Sequence, residues 1–241
     1  MNNFSVIFLC VLFLSTATKI WLAFRHISFI KQNSGNVPPA FSGDISLESH
    51  QKAANYSIAK TKLSFFSVVI DALLLLAFTF GGLFQIMDNI AMSIFENEVY
   101  SGVLFLVLLV AISSFVDLPI NLYRTFSIEV KFGFNKTTFK TWSLDLVKSI
   151  FIGMILGLPL IWLVLVLMGF MGNHWWIYVW AVMVLFVGLI QFIGPTYIAP
   201  LFNKFTPLED GSLKSRVESL LSKCGFESDG LFVMDGSKRS S

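Results

Sequence analysis

The sequence predicts an all-α polytopic membrane helix bundle with five spans, followed by the start of an α+β domain. Hydrophobic residues make up 55% of the 241 residues and charged residues 13%, whereas a typical soluble domain has about 25% charged residues. Five apolar runs reach the ~20 residues that an α-helix needs to cross a bilayer. Lys and Arg residues are concentrated in alternate connections between these runs, as they are in polytopic membrane proteins.

The five apolar runs differ in how clearly their ends are marked. The first has an N-terminal region without Lys or Arg and no small-residue cleavage site after it, so it predicts an anchor rather than a signal peptide. The third contains Pro119, which cannot donate a backbone hydrogen bond, so this span is expected to kink or end near Asp117. The predicted spans are 4–24, 63–86, 99–123, 143–171 and 175–199.

The distribution of basic residues predicts the orientation of the chain. The four connections and the C-terminal tail carry 5, 0, 4, 0 and 6 Lys or Arg residues in chain order. Basic connections stay in the cytoplasm, so we expect the N-terminus outside and residues from 200 onward in the cytoplasm. The run "WWIYVW" at 175–180 then lies at the outer interface, where aromatic side chains anchor helices. The net charge of +2 is too small to indicate a nucleic-acid partner, and the lipid bilayer is the expected one.

Several polar side chains lie within the spans, close to their ends or in the third connection. Charged groups are costly in hydrocarbon and normally face a bundle interior or a watery cavity. Two interpretations stay open for each of them: a cap or buttress near the interface, or the lining of a hydrated chamber. Asp145 and Lys148 are also spaced to pair on one helix face. The candidate residues are Asp71, Asp117, Asn121, Arg124, Asn135, Asp145 and Lys148.

No catalytic or metal-binding motif is visible in the sequence. The histidines are His26, His50 and His174, with no H-E-x-x-H among them, and the cysteines Cys10 and Cys224 have no neighbour at metal-ligand spacing. G-x-S-x-G and P-loop motifs are also missing from the 241 residues. We therefore predict no catalytic residue and no metal ligand within this chain.

The C-terminal tail has the pattern of a capped helix followed by a strand. Thr206, Pro207 and Glu209 fit the N-cap, N1 and N3 positions of a capping box, and Gly225 fits the C′ position. The apolar run at 230–234 then predicts a short buried strand. One helix and one strand, roughly 40 residues, bury too little apolar surface to fold alone. We therefore expect this strand to find its partners beyond Ser241.

Four stretches of the sequence resemble the type I CAAX prenyl endopeptidases. They are "ISLESHQKAANYSIAK" at 45–60, "DLPINLYRTFSIEVKFGFNKTTFKTW" at 117–142, "APLFNKFTPLEDG" at 199–211 and "GLFVMDGSKRSS" at 230–241. The resemblance runs over essentially the whole chain, and the "FGFNKTT" and "APLFNKFTPLEDG" blocks are its most specific parts.

The resemblance implies an integral-membrane zinc metalloprotease whose helices enclose a water-filled chamber. It implies cleavage near the C-terminus of a lipidated or membrane-associated peptide, with zinc bound by an H-E-x-x-H helix and a third, acidic ligand. All of these groups are expected beyond Ser241, so we expect the isolated chain to be inactive. Residues 1–199 would form the transmembrane N-terminal domain, and 200–241 would begin the truncated metallopeptidase domain. The resemblance leaves two locations open, the bacterial inner membrane and the endoplasmic reticulum.

A second class of function stays open on the residues alone. Asp71 and Asp117 are also compatible with a non-catalytic membrane scaffold or a small transporter. Lys238 and Arg239 are interpreted as a solvated basic turn rather than as part of a chamber mouth.

Overall fold

The computed structural model describes residues 2–228 and 230–236, so Lys238 and Arg239 lie outside the described residues. It confirms the predicted fold class, a helical membrane protein with only a small sheet. Within the described residues, five helical stretches are long and apolar enough to cross a membrane: Asn3–Asn33, Leu47–Thr79, Glu98–Phe132, Phe139–Phe170 and Gly172–Phe202.

The individual elements follow one another with short connections. The α-helices are α1 Asn3–Asn33, α2 Leu47–Thr79, α3 Leu83–Ile94, α4 Glu98–Tyr123, α5 Val130–Phe132, α6 Phe139–Phe170, α7 Trp175–Ile193, α8 Ala199–Phe202 and α9 Ser212–Lys223. The strands are β1 Phe205–Pro207 and β2 Phe232–Met234. Two π-helical segments, Arg124–Glu129 and Gly194–Ile198, continue α4 and α7.

The chain divides into two compact units, residues 1–135 and 136–241. The predicted boundary between 199 and 200 separates a transmembrane domain from a metallopeptidase domain. The division into compact units does not test it, so it stays a prediction.

In the first unit, α1 and α2 form an antiparallel hairpin. The ring of Phe8 lies 6.0 Å from that of Phe80 and the ring of Phe24 lies 5.8 Å from that of Phe65. Both helices run well past the predicted apolar spans into polar sequence. An α-helix satisfies its own backbone groups, so it continues through polar residues in water. Hydropathy alone therefore placed the C-terminal end of α1 too early and the N-terminal start of α2 too late.

The predicted second span, 63–86, is wrong at its C-terminal end. Helix α2 ends at Thr79, and residues 83–86 belong to the separate helix α3. A Cβ on Gly81 would lie 2.7 Å from the carbonyl oxygen of Ala77, and Gly82 has a φ of +77°. Such a φ favours glycine, so the Gly81–Gly82 pair allows the chain to turn here. Helix α3 then packs against α4.

The predicted third span does not end near Asp117. Helix α4 begins at the Asn97 cap, whose Oδ1 accepts from the N–H of Val99 at 2.9 Å. It continues through Pro119 to Tyr123 before changing to the π-helical segment. One missing hydrogen bond at a proline is tolerated in a membrane helix, where the cost is spread over local adjustments. The change in helix type therefore comes a turn after the proline.

In the second unit, α6 and α7 are the two membrane-crossing helices. Helix α6 begins at Phe139, four residues before the predicted span, because Thr138 caps it by accepting from the N–H of Thr141. The 3₁₀ turn Gly172–His174 connects it to α7. Large side chains on these helices are exposed, such as Leu185 at 74% and Phe192 at 73%. Exposed apolar side chains of this kind fit a lipid environment.

The strand β2 has a partner inside this chain, so the expectation that its partners lie only beyond Ser241 is wrong. It pairs antiparallel with β1, with Thr206 opposite Val233 and Phe205 opposite Met234. The capping box predicted at Thr206 is therefore wrong as well. Its hydroxyl donates to the carbonyl oxygen of Val233 at 3.4 Å instead of capping a helix.

Helix α9 begins later than predicted and ends where predicted. It starts after Gly211, which provides no side-chain cap. At its C-terminus Gly225 has a φ of +70°. The N–H groups of Gly225 and Phe226 donate to the carbonyl oxygens of Ser222 and Leu221. This is the Schellman arrangement, and it confirms the C′ position predicted for Gly225.

Candidate functional site

The structure separates the candidate polar residues into two groups and two isolated carboxylates. Asn121, Arg124 and Asn135 lie around the π-helical segment that follows α4. Asp145 and Lys148 lie on α6. Asp71 and Asp117 lie within α2 and α4. The groups belong to different parts of the chain.

The first group holds a tight turn after the π-helical segment. The guanidinium of Arg124 donates to Asn121 Oδ1 at 3.0 Å, and the side-chain amide of Asn135 donates to the carbonyl oxygen of Thr125 at 3.1 Å. Gly133 has a φ of +81°, which reverses the chain between the two. Asn135 thus satisfies a carbonyl of the π-helical segment, and its role in this structure is to position that segment.

An aromatic clamp, formed by Tyr56, Phe132 and Phe134, joins this turn to α2. The ring of Tyr56 lies 5.4 Å from that of Phe132 and 4.6 Å from that of Phe134, in tilted orientations that aromatic pairs favour. The Lys60 amine lies 5.1 Å from the centre of the Tyr56 ring, within the range of a cation–π contact. The part of the "FGFNKTT" block from Phe132 to Asn135 is therefore held by packing as well as by hydrogen bonds.

In the second group, Lys148 does not pair with Asp145. Within the described residues its amine donates to the carbonyl oxygen of Leu201 at 2.7 Å and lies 5.9 Å from the ring of Phe202. Leu201 is in the last turn of α8, where carbonyl oxygens lack helical partners and a cation is favourable. Lys148 thus caps a helix end 53 positions later in the chain.

Removing the Lys148 amine is expected to loosen this helix end. We expect Lys148→Met to lower the free energy of unfolding by about 1 kcal/mol and to speed hydrogen–deuterium exchange at 199–204. Lys148→Arg should preserve most of the contact, and Lys140→Met, which removes an exposed charge from the same helix, should have no effect. Equal exchange rates in Lys148→Met and Lys140→Met would contradict the cap.

Asp71 and Asp117 are exposed on their helices. Within residues 2–228 and 230–236, neither carboxylate forms a hydrogen bond or an ion pair with the protein. A charged group cannot face hydrocarbon without a large cost. Their exposure therefore fits positions that face water, and it identifies no chemistry by itself.

The resolved pKa shifts lie outside the membrane-crossing helices. The amine of Lys214 lies 2.6 Å from Asp210 Oδ1. This hydrogen bond and the opposite charge lower the pKa of Asp210 and raise the pKa of Lys214. The stability from the Asp210 side is present above its ordinary pKa and is lost as the pH falls. Asp210 is exposed and Lys214 is partly exposed, so the contribution is small.

The described residues do not fit a zinc site. Among residues 2–228 and 230–236, no three His, Cys, Asp or Glu side chains come close enough together to hold a metal ion. A catalytic zinc needs three protein ligands and an open position. No hydrolytic step can therefore be assigned to these residues.

Three contacts had no signal in the sequence patterns. Asp235 closes the small sheet by accepting from the N–H of Lys204 at 2.8 Å and donating its own N–H to the Lys204 carbonyl oxygen at 3.1 Å. The contacts of Tyr56 in the aromatic clamp and of Leu201 with Lys148 have no local signal either. Each contact joins residues far apart in sequence, which local spacing does not reveal.

Comparison with known proteins identifies the class to which this architecture belongs. The family described as CAAX prenyl protease N-terminal, five membrane helices, matches residues 26–204. CAAX prenyl protease 1 of Saccharomyces cerevisiae is 37% identical over 235 residues, covering 92% of this chain and 51% of the relative. The Homo sapiens CAAX prenyl protease 1 homolog is 32% identical, covering 98% of this chain and 51% of that relative.

The fold comparison agrees with these sequence matches. The crystal structure of S. mikatae Ste24p superimposes with a TM-score of 0.91 and 34% identity, covering 100% of this chain and 57% of that one. The chain spans about half the length of the curated relatives it matches. The chain belongs to the CAAX prenyl protease family, and it carries the family's N-terminal region of five membrane helices.

Proposed function

We propose that these residues form the N-terminal half of an integral-membrane zinc metalloendopeptidase. This enzyme cleaves near the C-terminus of lipidated or membrane-associated peptides, including prenylated proteins. The observation that carries the proposal is the structural likeness to Ste24p, which extends over the whole of this chain. Residues 1–199 supply the transmembrane domain, and residues from 200 onward begin the metallopeptidase domain.

The zinc chemistry in this proposal belongs to a segment outside these 241 residues. The sequence contains no H-E-x-x-H motif, and the described residues do not fit a metal site. A bound zinc would activate water for attack on the peptide carbonyl. The contribution of this chain is to form the membrane scaffold, so the chain by itself is inactive.

The orientation in this proposal places the N-terminus outside and the β1–β2 sheet in the cytoplasm. The alternation of basic connections supports this arrangement. The relatives named above come from eukaryotes, which favours the endoplasmic reticulum over a bacterial inner membrane. The substrate would then reach the enzyme from the cytoplasmic side, where lipidated C-termini are exposed.

The isolated carboxylates have a role in this proposal as well. Asp71 and Asp117 line a hydrated chamber, because water is the environment in which an exposed carboxylate costs least. Asn121, Arg124 and Asn135 brace the end of α4, and Lys148 braces the end of α8. These four residues act by positioning helices and touch no substrate.

The test is to combine this chain with the missing half. We expect the 241-residue chain, co-expressed with the C-terminal half of the Saccharomyces cerevisiae relative, to cleave a farnesylated C-terminal peptide. Cleavage should stop with a chelator and return with added zinc, and either half alone should be inactive.

Two controls make the outcome decisive. Replacing the glutamate of H-E-x-x-H by glutamine in the supplied half should abolish cleavage while the two halves still copurify. If the halves copurify with intact zinc ligands and no peptide is cleaved, the proposed activity is contradicted. Cleavage by the purified 241-residue chain alone would contradict the assignment of zinc to the other half.

A further inference from the structure

A groove between α1 and α2 has the shape and chemistry of a lipid headgroup site. Its volume is about 820 Å³. It lies where the first apolar run ends and Arg25 begins the polar part of α1. Six of its nine lining residues carry polar side chains: Arg25, His26, Ser28, Gln32, Thr61 and Ser64. We propose that this groove binds the headgroup of an anionic phospholipid.

The groove lies beside the polar end of the first apolar run, the level at which we expect the membrane interface. Phe24 contacts Phe65 across the hairpin, and His50 contacts the carbonyl oxygen of Asn33 at 3.2 Å, so most of the residues that line the groove lie between these two contacts. The guanidinium of Arg25 lies 4.9 Å from the centre of the Trp21 ring. Tryptophan concentrates at membrane interfaces, and this contact keeps the Arg25 charge at that level.

The charge of the groove selects an anion. None of the residues that line it in the described part of the chain is acidic. Arg25 supplies a fixed positive charge, and Ser28, Thr61 and Ser64 supply hydroxyl groups that can donate to phosphate oxygens. A basic pocket between membrane helices on the cytoplasmic side is a recognised setting for lipid phosphate groups.

A second, more apolar groove of about 380 Å³ continues from the first and favours a lipid over free phosphate. The two share Leu22, Ala23 and Ser64 as a common wall. Beyond that wall the second groove is lined by Phe65 and Val68 and by Lys19. An acyl chain fits its apolar part, and the long Lys19 side chain can extend its amine towards the phosphate. The lipid headgroup and its acyl chain can thus bind in two adjoining grooves of the same helix hairpin.

The experiment measures lipid binding by the purified 241-residue chain in a neutral detergent, using native mass spectrometry. Dioleoyl phosphatidylserine should bind at least about fivefold more tightly than dioleoyl phosphatidylcholine. Arg25→Gln should weaken phosphatidylserine binding about fivefold, as expected for the loss of one cation near a lipid surface. Lys31→Gln removes the same charge from α1 outside the groove and should change binding less than twofold.

A second variant tests whether the space in the grooves matters for binding, and a competitor tests whether phosphate alone can occupy the site. Ser64→Trp fills the wall shared by both grooves and should weaken phosphatidylserine binding even though no charge is lost. Millimolar inorganic phosphate should fail to displace the lipid. The proposal is overturned by equal binding of the two lipids, by equal effects of Arg25→Gln and Lys31→Gln, or by displacement with inorganic phosphate. It is independent of the proposed peptidase activity, since no step of the test requires cleavage.

Discussion

Replacing Phe132 by alanine is expected to lower the free energy of unfolding by about 3–5 kcal/mol, the usual cost of removing a buried phenylalanine ring. Phe132 is 8% exposed and packs against Tyr56 in the aromatic clamp. Its loss leaves a cavity between α2 and the turn after the π-helical segment. The measurement is an SDS titration of the detergent-solubilised chain, followed by circular dichroism.

The matched control is Phe115→Ala in α4. Phe115 is 76% exposed, so its removal leaves no cavity and is expected to change the free energy of unfolding by less than about 0.5 kcal/mol. Phe132→Leu should restore part of the lost stability because leucine fills part of the space. Similar losses in Phe132→Ala and Phe115→Ala would show that the aromatic clamp does not stabilise the chain.

Replacing Met87 by alanine should cost about 2–5 kcal/mol, the range for truncating a buried aliphatic side chain. Met87 is 2% exposed on the short helix α3, one turn from Ala91, which is 1% exposed. Helix α3 packs against α4, where Ser101 is also buried. Met87 is the largest fully buried side chain among the described residues, so its truncation removes buried volume from α3, and the same SDS titration measures the effect.

Met92→Ala provides the comparison on the same helix. Met92 is 58% exposed, and its truncation should leave the SDS midpoint nearly unchanged. Proteolysis adds a local readout: Met87→Ala should expose the segment 80–98 to cleavage, and Met92→Ala should not. If the two variants unfold at the same SDS concentration, α3 is not held by the Met87 contact.

The membrane class was predictable because its physical signal is local and strong. A run of about 20 apolar residues is sufficient for a helix to cross hydrocarbon, whatever its neighbours are. The signal at Gly225 is local as well, because a glycine after an apolar stripe indicates a helix end through its own backbone preference. Predictions of this kind need only a short window of sequence, and the structure confirms them.

The tail shows where a local pattern misleads. Thr206, Pro207 and Glu209 have the spacing of a capping box, yet Phe205–Pro207 is a strand. Its partner, Phe232–Met234, lies more than 20 residues further on. Pairing between distant segments decided the outcome, and a capping pattern contains no information about such a partner.

The candidate site was only partly predictable for the same reason. The polar residues could be singled out because charged and amide groups are costly in or beside a membrane. Their contacts could not be read from spacing: Asp145 is three residues from Lys148, but the lysine amine binds the carbonyl oxygen of Leu201. The unpaired carbonyl groups at a helix end were a better partner than a neighbouring side chain on the same helix.

The sequence by itself determined that this protein is a membrane protein with five crossing helices, since that depends on apolar length alone. It also determined the family through specific blocks such as "FGFNKTT" and "APLFNKFTPLEDG". Only the tertiary structure decided which strand pairs with β2 and what Lys148 and Asn135 hold in place. These features depend on contacts between distant segments, and their free energy appears only when the chain has folded.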